Sequence, residues 1–410
     1  VLIDLFQYVD LWSLVRHVRL VCRLFHALCF RRRTILDVTT WQHKESFNWH
    51  LHHRGGASPN ASTASTTHRI LSVMRLVSHQ CFRSGSQLKH VRLDKSYGLS
   101  RILRNEVSFR QIFDPLGHQI ESLSMVGCVQ VNDTVLSHIS QCDFSTNGHL
   151  SSLNLSGNRP ITDRGIQHIA ERCRGLRHLY LRGLYRLTNS SLISLWLHLG
   201  QQIETLDLHG LKSDMQFDTI AQFTNLKHLT LQDSSISGVD IEQVLSSRVA
   251  AVTSSAQPCL QHLQTLNLIG VSAVSDLTVR LLFEQCTSLR HFEVQNNELI
   301  TDDACEYMRG LSVLNIISCR GIGDRGIVAI ADHNPQLQRL EMKGLQLVNE
   351  DAVLYLMSVC SSHLRVLNVS HTEMGNRVLE EAKQAKRLRL LNLSMCERVV
   401  PSSLAIVHML

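Results

Sequence analysis

A short pattern, Leu150-Ser-Ser-Leu153-Asn-Leu155 followed by Thr162-Asp163 and then Ile166, Ile169 and Ala170, constrains this chain more than any other feature. The first half, L-x-x-L-x-L, reads as a short strand, and the second half places apolar residues at helical spacing behind a cap. Such a unit cannot bury its apolar side alone, so copies must stack. Copies open at Leu88, Ile120, Leu150, Leu176, Ile203, Leu226, Leu263, Leu289, Leu311, Leu337, Leu364 and Leu388, twelve units mostly 22 to 32 residues apart. The pattern predicts an α/β solenoid with parallel strands on the concave face and helices on the convex face. The spacing from Leu226 to Leu263 is longer, and the excess over residues 246–258 predicts a lengthened helix or a surface loop.

Twelve positions beyond each opening residue lie Ser100, Asn132, Thr162, Thr188, Ser275, Thr301, Asn349 and Asn376, with Gly238 and Gly323 in two further units. Only Met215 and Val400 break the series. Short polar side chains there predict helix N-caps, because they satisfy the first unpaired helical N–H groups. Asp133, Asp163, Asp276, Asp302 and Glu350 follow directly, where the helix dipole favours an acid.

The twelve cysteines form no Cys-x-x-Cys pair. Cys128, Cys319 and Cys396 lie eight residues after their opening positions, and Cys173 and Cys286 lie three before theirs. Cysteine at a fixed repeat position behaves as a small buried hydrophobe, which predicts unbridged thiols and an intracellular location, cytoplasm or nucleus.

Hydrophobic residues make up 44% of the chain and aromatics only 5%, which suits a core of Leu, Ile and Val layers. The formal charge of +6 is mild, and Arg31-Arg32-Arg33 is too short a run for a nucleic-acid footprint. No apolar run is long enough to span a membrane. No phosphate loop, zinc-binding helix or nucleophile elbow is present, so catalytic residues, cofactors and metal ligands are all expected to be absent. His50, His52 and His53 lack a second group of ligands at metal-binding spacing.

The exposed strand positions are the candidate partner-binding surface. His90, His178, His228 and His291 share the third repeat position, and alternation across a strand places them on the open face. With their neighbours they give His178, Tyr180 and Arg182, then Asp207 and His209, His228 and Gln232, His291 and Glu293, and Arg339 and Lys343. Both charge signs and an aromatic suit protein recognition better than phosphate binding. Asn154, Asn267, Asn315, Asn368 and Asn392 share the fifth position and read as a structural habit of the repeat.

Units near 26 residues, recurrent cysteines and Thr-Asp turns resemble the cysteine-containing class of leucine-rich repeats, so the expected fold is a leucine-rich-repeat solenoid over residues 88–410. Residues 1–36 differ. Leu5-Phe6-x-Tyr8-Val9-Asp10, Leu14, and Leu20-Val21-Cys22-Arg23-x-Phe25-x-x-Leu28 resemble the F-box, a helical motif that docks a Skp1 adaptor. The Leu-Pro that opens that motif would precede Val1, no Pro follows Asp10, and Phe25 stands where Trp is usual. Residues 37–87 read as a connecting segment, with a Ser/Thr-rich linker over 42–69.

The pairing resembles F-box/LRR proteins. It implies the substrate-recognition subunit of a Skp1–cullin–F-box ubiquitin ligase, binding a Skp1-like adaptor and the cullin ligase core through Leu5, Phe6, Tyr8, Val9, Val21 and Phe25. The alternative is a non-catalytic scaffold with a vestigial F-box, similar to a subunit of the ciliary dynein regulatory complex and located in the axoneme. A regulator of a small GTPase fits the repeat length less well.

Overall fold

The computed structural model describes residues 35–37, 89–94, 113, 120–128, 130–250, 260–396 and 398–399, with backbone alone for 35–37 and 248–250. Its contacts divide the chain into two units, Val1–Gln202 and Ile203–Leu410. Both are built from the same strand–turn–helix repeat.

In the first unit β1 (Ile35–Asp37), β2 (His90–Arg92), β3 (Ser122–Ser124), β4 (Ser152–Asn154) and β5 (His178–Tyr180) pair in parallel, each with its sequence neighbour. The helices are α1 (Asp133–Gln141), α2 (Asp143–Thr146), α3 (Asp163–Arg172) and α4 (Asn189–Leu199). The strand at Ile35–Asp37 was not expected, and it replaces the end of the helical module assigned to residues 1–36. The rest of that module and residues 38–88, the 42–69 linker included, lie outside the described residues.

The second unit holds β6 (Thr205–Asp207), β7 (His228–Thr230), β8 (Thr265–Asn267), β9 (His291–Glu293), β10 (Val313–Asn315), β11 (Arg339–Glu341), β12 (Val366–Asn368) and β13 (Leu390–Asn392). Here too the strands are parallel in sequence order. Between them lie α5 (Phe217–Ile220), α6 (Gly238–Ala250), α7 (Asp276–Gln285), α8 (Asp302–Cys305), α9 (Asp324–His333), α10 (Glu350–Val359) and α11 (Asn376–Gln384). The insertion after Leu245 begins by lengthening α6; residues 251–259 lie outside the described set. This is the α/β leucine-rich-repeat solenoid that the repeat pattern predicts.

Each strand is three residues long, and in β2 to β13 the middle residue is buried and the outer two lie on the open face. It ends there because the next turn is fixed by chemistry. The side-chain oxygens of Asn154, Asp207, Asn267, Asn315, Asn368 and Asn392 accept the N–H two residues onward, at 3.0, 3.0, 2.9, 3.3, 3.1 and 3.0 Å. Such Asx turns compete with a continuing strand. The residue seven beyond each opening position is then left-handed: Gly127, Gly157 and Gly183 in the first unit, and Gly210, Asp233, Gly270, Asn296, Ser318, Gly344, His371 and Met395 in the second. A Cβ is disfavoured in that region, which explains the recurrent glycine.

The predicted caps are present in part and have a second task. Asn132, Thr188, Ser275 and Thr301 each accept a helical N–H. Thr162 and Asn349 make no such bond. In two units the cap precedes the expected residue: Ser237 accepts the Asp240 N–H ahead of Gly238, and Gly375 stands before Asn376. The position where Met215 breaks the series yields Gln216 as cap of the short α5.

Most of these caps also have a partner in the preceding repeat. The Thr162 N–H and hydroxyl donate to the two carboxylate oxygens of Asp133, at 2.9 and 2.6 Å. Thr188 repeats the arrangement with Asp163 at 2.8 and 2.7 Å, and Thr301 with Asp276 at 2.7 Å for both bonds. Asp302 accepts the Gly323 N–H at 2.7 Å, Asp324 accepts the Asn349 N–H and side-chain amide, and Glu350 accepts the Gly375 N–H at 3.2 Å. The acids predicted from the helix dipole are therefore also staples between repeats.

This ladder explains glycines inside helices. A Cβ on Gly165 would lie 2.4 Å from Asp133 Oδ1, and one on Gly326 would lie 2.5 Å from Asp302 Oδ1. Polar side chains at the ninth position supply further cross-links. Cys128 and Cys396 donate to the carbonyls of Leu93 and Val369 at 2.9 and 3.2 Å, and the fully buried Asn158 donates to those of Met125 and Leu155 at 2.7 Å each.

The core consists of Leu, Ile and Val layers with more aromatic filling than the composition suggests. Phe113, Phe144, Phe217, Phe223 and Phe292 are fully buried, and Phe283 meets Phe292 edge-on with centroids 5.4 Å apart.

Two stability predictions follow from the ladder and the turn. Gly165→Ala would by helix propensity alone stabilise by about 1 kcal/mol; against Asp133 it is expected instead to destabilise by about 1–3 kcal/mol, and a higher urea midpoint would contradict the ladder. Met395→Gly relieves a left-handed backbone and should raise stability by about 1 kcal/mol, read from the thermal midpoint.

Candidate functional site

The open faces of the two units differ in chemistry. In the second unit the first strand residues form a lateral row that includes Thr205, His228, Thr265, His291 and Arg339. His228 Nδ1 lies 3.0 Å from Thr265 Oγ1, and the same hydroxyl is 3.5 Å from His291 Nδ1. A hydroxyl has one proton, so it can donate to one ring while accepting from the other. Two histidines chosen from sequence are thus joined by a threonine that periodicity alone did not single out.

The adjacent row is already committed in places. Glu293 accepts from the Asn267 amide at 3.4 Å. Glu341, largely buried, holds Arg339 at 2.9 Å and the Asn368 amide at 2.7 Å. Asp207 accepts the His209 N–H, so its carboxylate first terminates a strand. His209 Nε2 stands 3.9 Å from Asp233. Gln232 and Lys343 lie in the third row, which also carries the half-buried Ile269 and Ile317.

In the first unit the floor is small and polar. Ser122, Ser152 and His178 lie side by side, as do Ser124, Asn154 and Tyr180. Arg182 follows one turn later and is exposed. Beyond the strands, Arg159 stacks over the Tyr185 ring with Cζ 5.7 Å from its centroid. These two occupy the same place in successive repeats. Tyr185 folds back over Gly183, its hydroxyl 3.9 Å from where a Cβ would stand. The sequence reading missed this edge because it sampled only strand positions; the signal was the matching place of Arg159 and Tyr185 behind their opening leucines.

The adaptor candidates Leu5, Phe6, Tyr8, Val9, Val21 and Phe25, and also His50, His52 and His53, lie outside the described residues. Among the described residues, no three His, Cys, Asp or Glu side chains gather as a metal cluster, and no helix is long and apolar enough to cross a membrane.

The thiols are held in reserve by burial. The eight described cysteines are unbridged and buried. Burial pushes the Cys173 thiol from 9.0 up to about 12, against a hydrogen bond from Ser145, and pushes Cys319 and Cys360 up to about 11. Cys305 is raised by burial first and then by the charges of Asp302 and Asp276. Protonated, buried thiols are poor nucleophiles.

Comparison with known proteins agrees with the fold. A family model described as Leucine Rich repeat matches residues 146–170 and 285–308. No curated protein matches the chain. Among solved structures, a chain of the yeast Rad7 and Elc1 complex is similar at 18% identity and a TM-score of 0.59, over 89% of this chain and 92% of that one. An internalin, inlF, from Listeria monocytogenes aligns at 18% identity and TM-score 0.46 over 75% of this chain and 92% of that one. A chain of the mouse RP105/MD-1 complex aligns at 15% and 0.45 over 74% and 46%. The chain has the leucine-rich-repeat architecture.

The raised thiol values give a pH dependence. Below about pH 9 both folded and unfolded thiols keep their protons, so stability is insensitive to them. Above it the unfolded chain ionises first, and stability should fall as pH rises through 11 to 12. Urea midpoints measured from about pH 8 to about pH 10.5 should therefore fall, and Cys173→Ala should flatten that slope whatever its effect on the midpoint itself.

Proposed function

We propose that this protein is the substrate-recognition subunit of a Skp1–cullin–F-box type ubiquitin ligase, non-catalytic and intracellular. The observation that carries the reading is the coupling, in one chain, of an F-box-like pattern (Leu5, Phe6, Tyr8, Val9, Val21, Phe25) to a repeat array with an open polar strand face. In this reading residues 1–36 dock a Skp1-like adaptor, residues 37–87 connect, and residues 88–410 hold the protein to be modified. The chain raises the effective concentration of substrate near a conjugating enzyme carried elsewhere in the assembly.

The structure contributes what a receptor needs. Asp133, Asp163 and Asp276 are taken up by the inter-repeat ladder and the described thiols are buried, which favours strand-face and edge residues for recognition. His178, Tyr180 and Arg182 in the first unit, and Asp207, His209, His228, Gln232, His291, Glu293, Arg339 and Lys343 in the second, are the proposed contacts. The yeast neighbour was crystallised as a complex with Elc1, so a similar fold does operate beside a second protein.

A second reading, an axonemal scaffold with an F-box that no longer docks an adaptor, draws on the absent Pro after Asp10 and on Phe25 in place of Trp. Adaptor binding separates the two. Full-length chain should retain a purified Skp1-type adaptor at micromolar concentration, and Phe6→Ala should weaken this at least about tenfold, the loss of one buried aromatic anchor. Absence of binding by the unaltered chain favours the scaffold.

A further inference from the structure

The first unit carries a basic and aromatic corner that the strand-face reading does not absorb. Residues 150–160 and 176–187, the strand and turn of two successive repeats, contain Arg159, Arg177, Arg182, Arg186 and His178 together with Tyr180 and Tyr185, and no Asp or Glu. This is local, since the whole chain has 41 basic against 35 acidic residues. Asp133 and Asp163, at the helix starts of this unit, are occupied by the caps Thr162 and Thr188.

Geometry makes the corner continuous. The Gly157 N–H donates to the Arg182 carbonyl at 2.7 Å, which sets the two turns side by side. Arg182 stands exposed just before Gly183 turns left-handed, and Tyr185 leans back over that glycine with Arg159 stacked on its ring. Tyr185 remains 53% exposed and Arg159 and Arg186 are also exposed, so the stack is braced from below and open above. Beside it runs the small polar floor of Ser152 and Asn154, paired with His178 and Tyr180.

We infer that this corner, built from Arg159, Arg182, Tyr185 and Arg186, binds an acidic, extended segment of a partner protein. Charge complementarity selects the ligand: guanidinium forks pair carboxylates in two-pronged fashion, and a stacked Arg–Tyr pair offers both a cation and an apolar plate. Nucleic acid fits less well, because it needs a longer run of phosphate contacts than one corner supplies. The inference deepens the reading of the strand face as a protein-recognition surface, and it does not depend on adaptor docking.

The test is fluorescence anisotropy of a short glutamate-rich peptide with the full-length chain at low salt, with a lysine-rich peptide and an oligothymidylate as comparators. The glutamate peptide should bind best and weaken as salt is raised. Arg159→Glu combined with Arg186→Glu should weaken it at least about tenfold while the thermal midpoint and adaptor binding hold, as expected for reversed charges at an exposed site. Should charge reversal disturb folding, Arg159→Gln with Arg186→Gln should still lower affinity, and Arg→Lys at both sites should retain an intermediate level. Equal binding by the charge-reversed and unaltered chains overturns the assignment, as does failure of the unaltered chain to bind the acidic peptide. Tighter binding of the oligothymidylate would make the corner a nucleic-acid surface instead. Loss of peptide binding with adaptor binding intact locates the effect here and leaves the ligase reading standing.

Discussion

A carboxylate that reaches from one repeat into the next is the interaction on which the rest of this structure depends. Asp133, Asp163 and Asp276 each receive two hydrogen bonds from the threonine that opens the following helix, one from its backbone and one from its hydroxyl. Two bonds to one planar group fix both position and orientation. The helix starts are thereby held in register, and the three-residue strands on the opposite side inherit that register. Without such a staple, layers of interchangeable Leu and Ile side chains would slide, because apolar packing has little directional preference.

The staple also dictates composition that would otherwise look anomalous. Glycine early in a helix is unfavourable by propensity, yet Gly165 and Gly326 stand where a carboxylate oxygen takes the space of a Cβ. Cysteine and asparagine both recur at the ninth repeat position, where each can donate to a buried carbonyl, as Cys128 and Asn158 do in neighbouring repeats. The thiols are thus part of the frame, and burial pushes the Cys319 thiol up. Surface chemistry is left to the strand faces and turn edges, where no repeat constraint fixes the side chain.

Much of the fold was legible from the chain. Opening residues, cap positions and the polar face all follow from periods of two and about 3.6 that a reader can count. Asn154 and its equivalents were rightly set aside as structural, and the Asx turns supply the reason. Legibility failed where the cause lay across repeats. The acids after the caps were attributed to the dipole of their own helix, since their second partner sits some 25 residues away, as Asp163 and Thr188 do. The left-handed position was not recognised because Asp233, Asn296, Ser318, His371 and Met395 hide the glycine pattern. The Arg159–Tyr185 stack was overlooked because it lies past the strand, on an edge the period of two does not reach.

The sequence by itself determined that this chain stacks strand–turn–helix units and which side chains line its open face, because those outcomes depend on local periodicity and on the need of each unit to cover its apolar side. Tertiary structure alone decided which of those side chains are already engaged. It gave Glu341 to Arg339 and Asn368, placed Thr265 between His228 and His291, and stacked Arg159 over the Tyr185 ring. The physical reason is that hydrogen bonds and ion pairs act over a few ångströms between neighbouring strands, and only folding sets residues 25 positions apart at that distance.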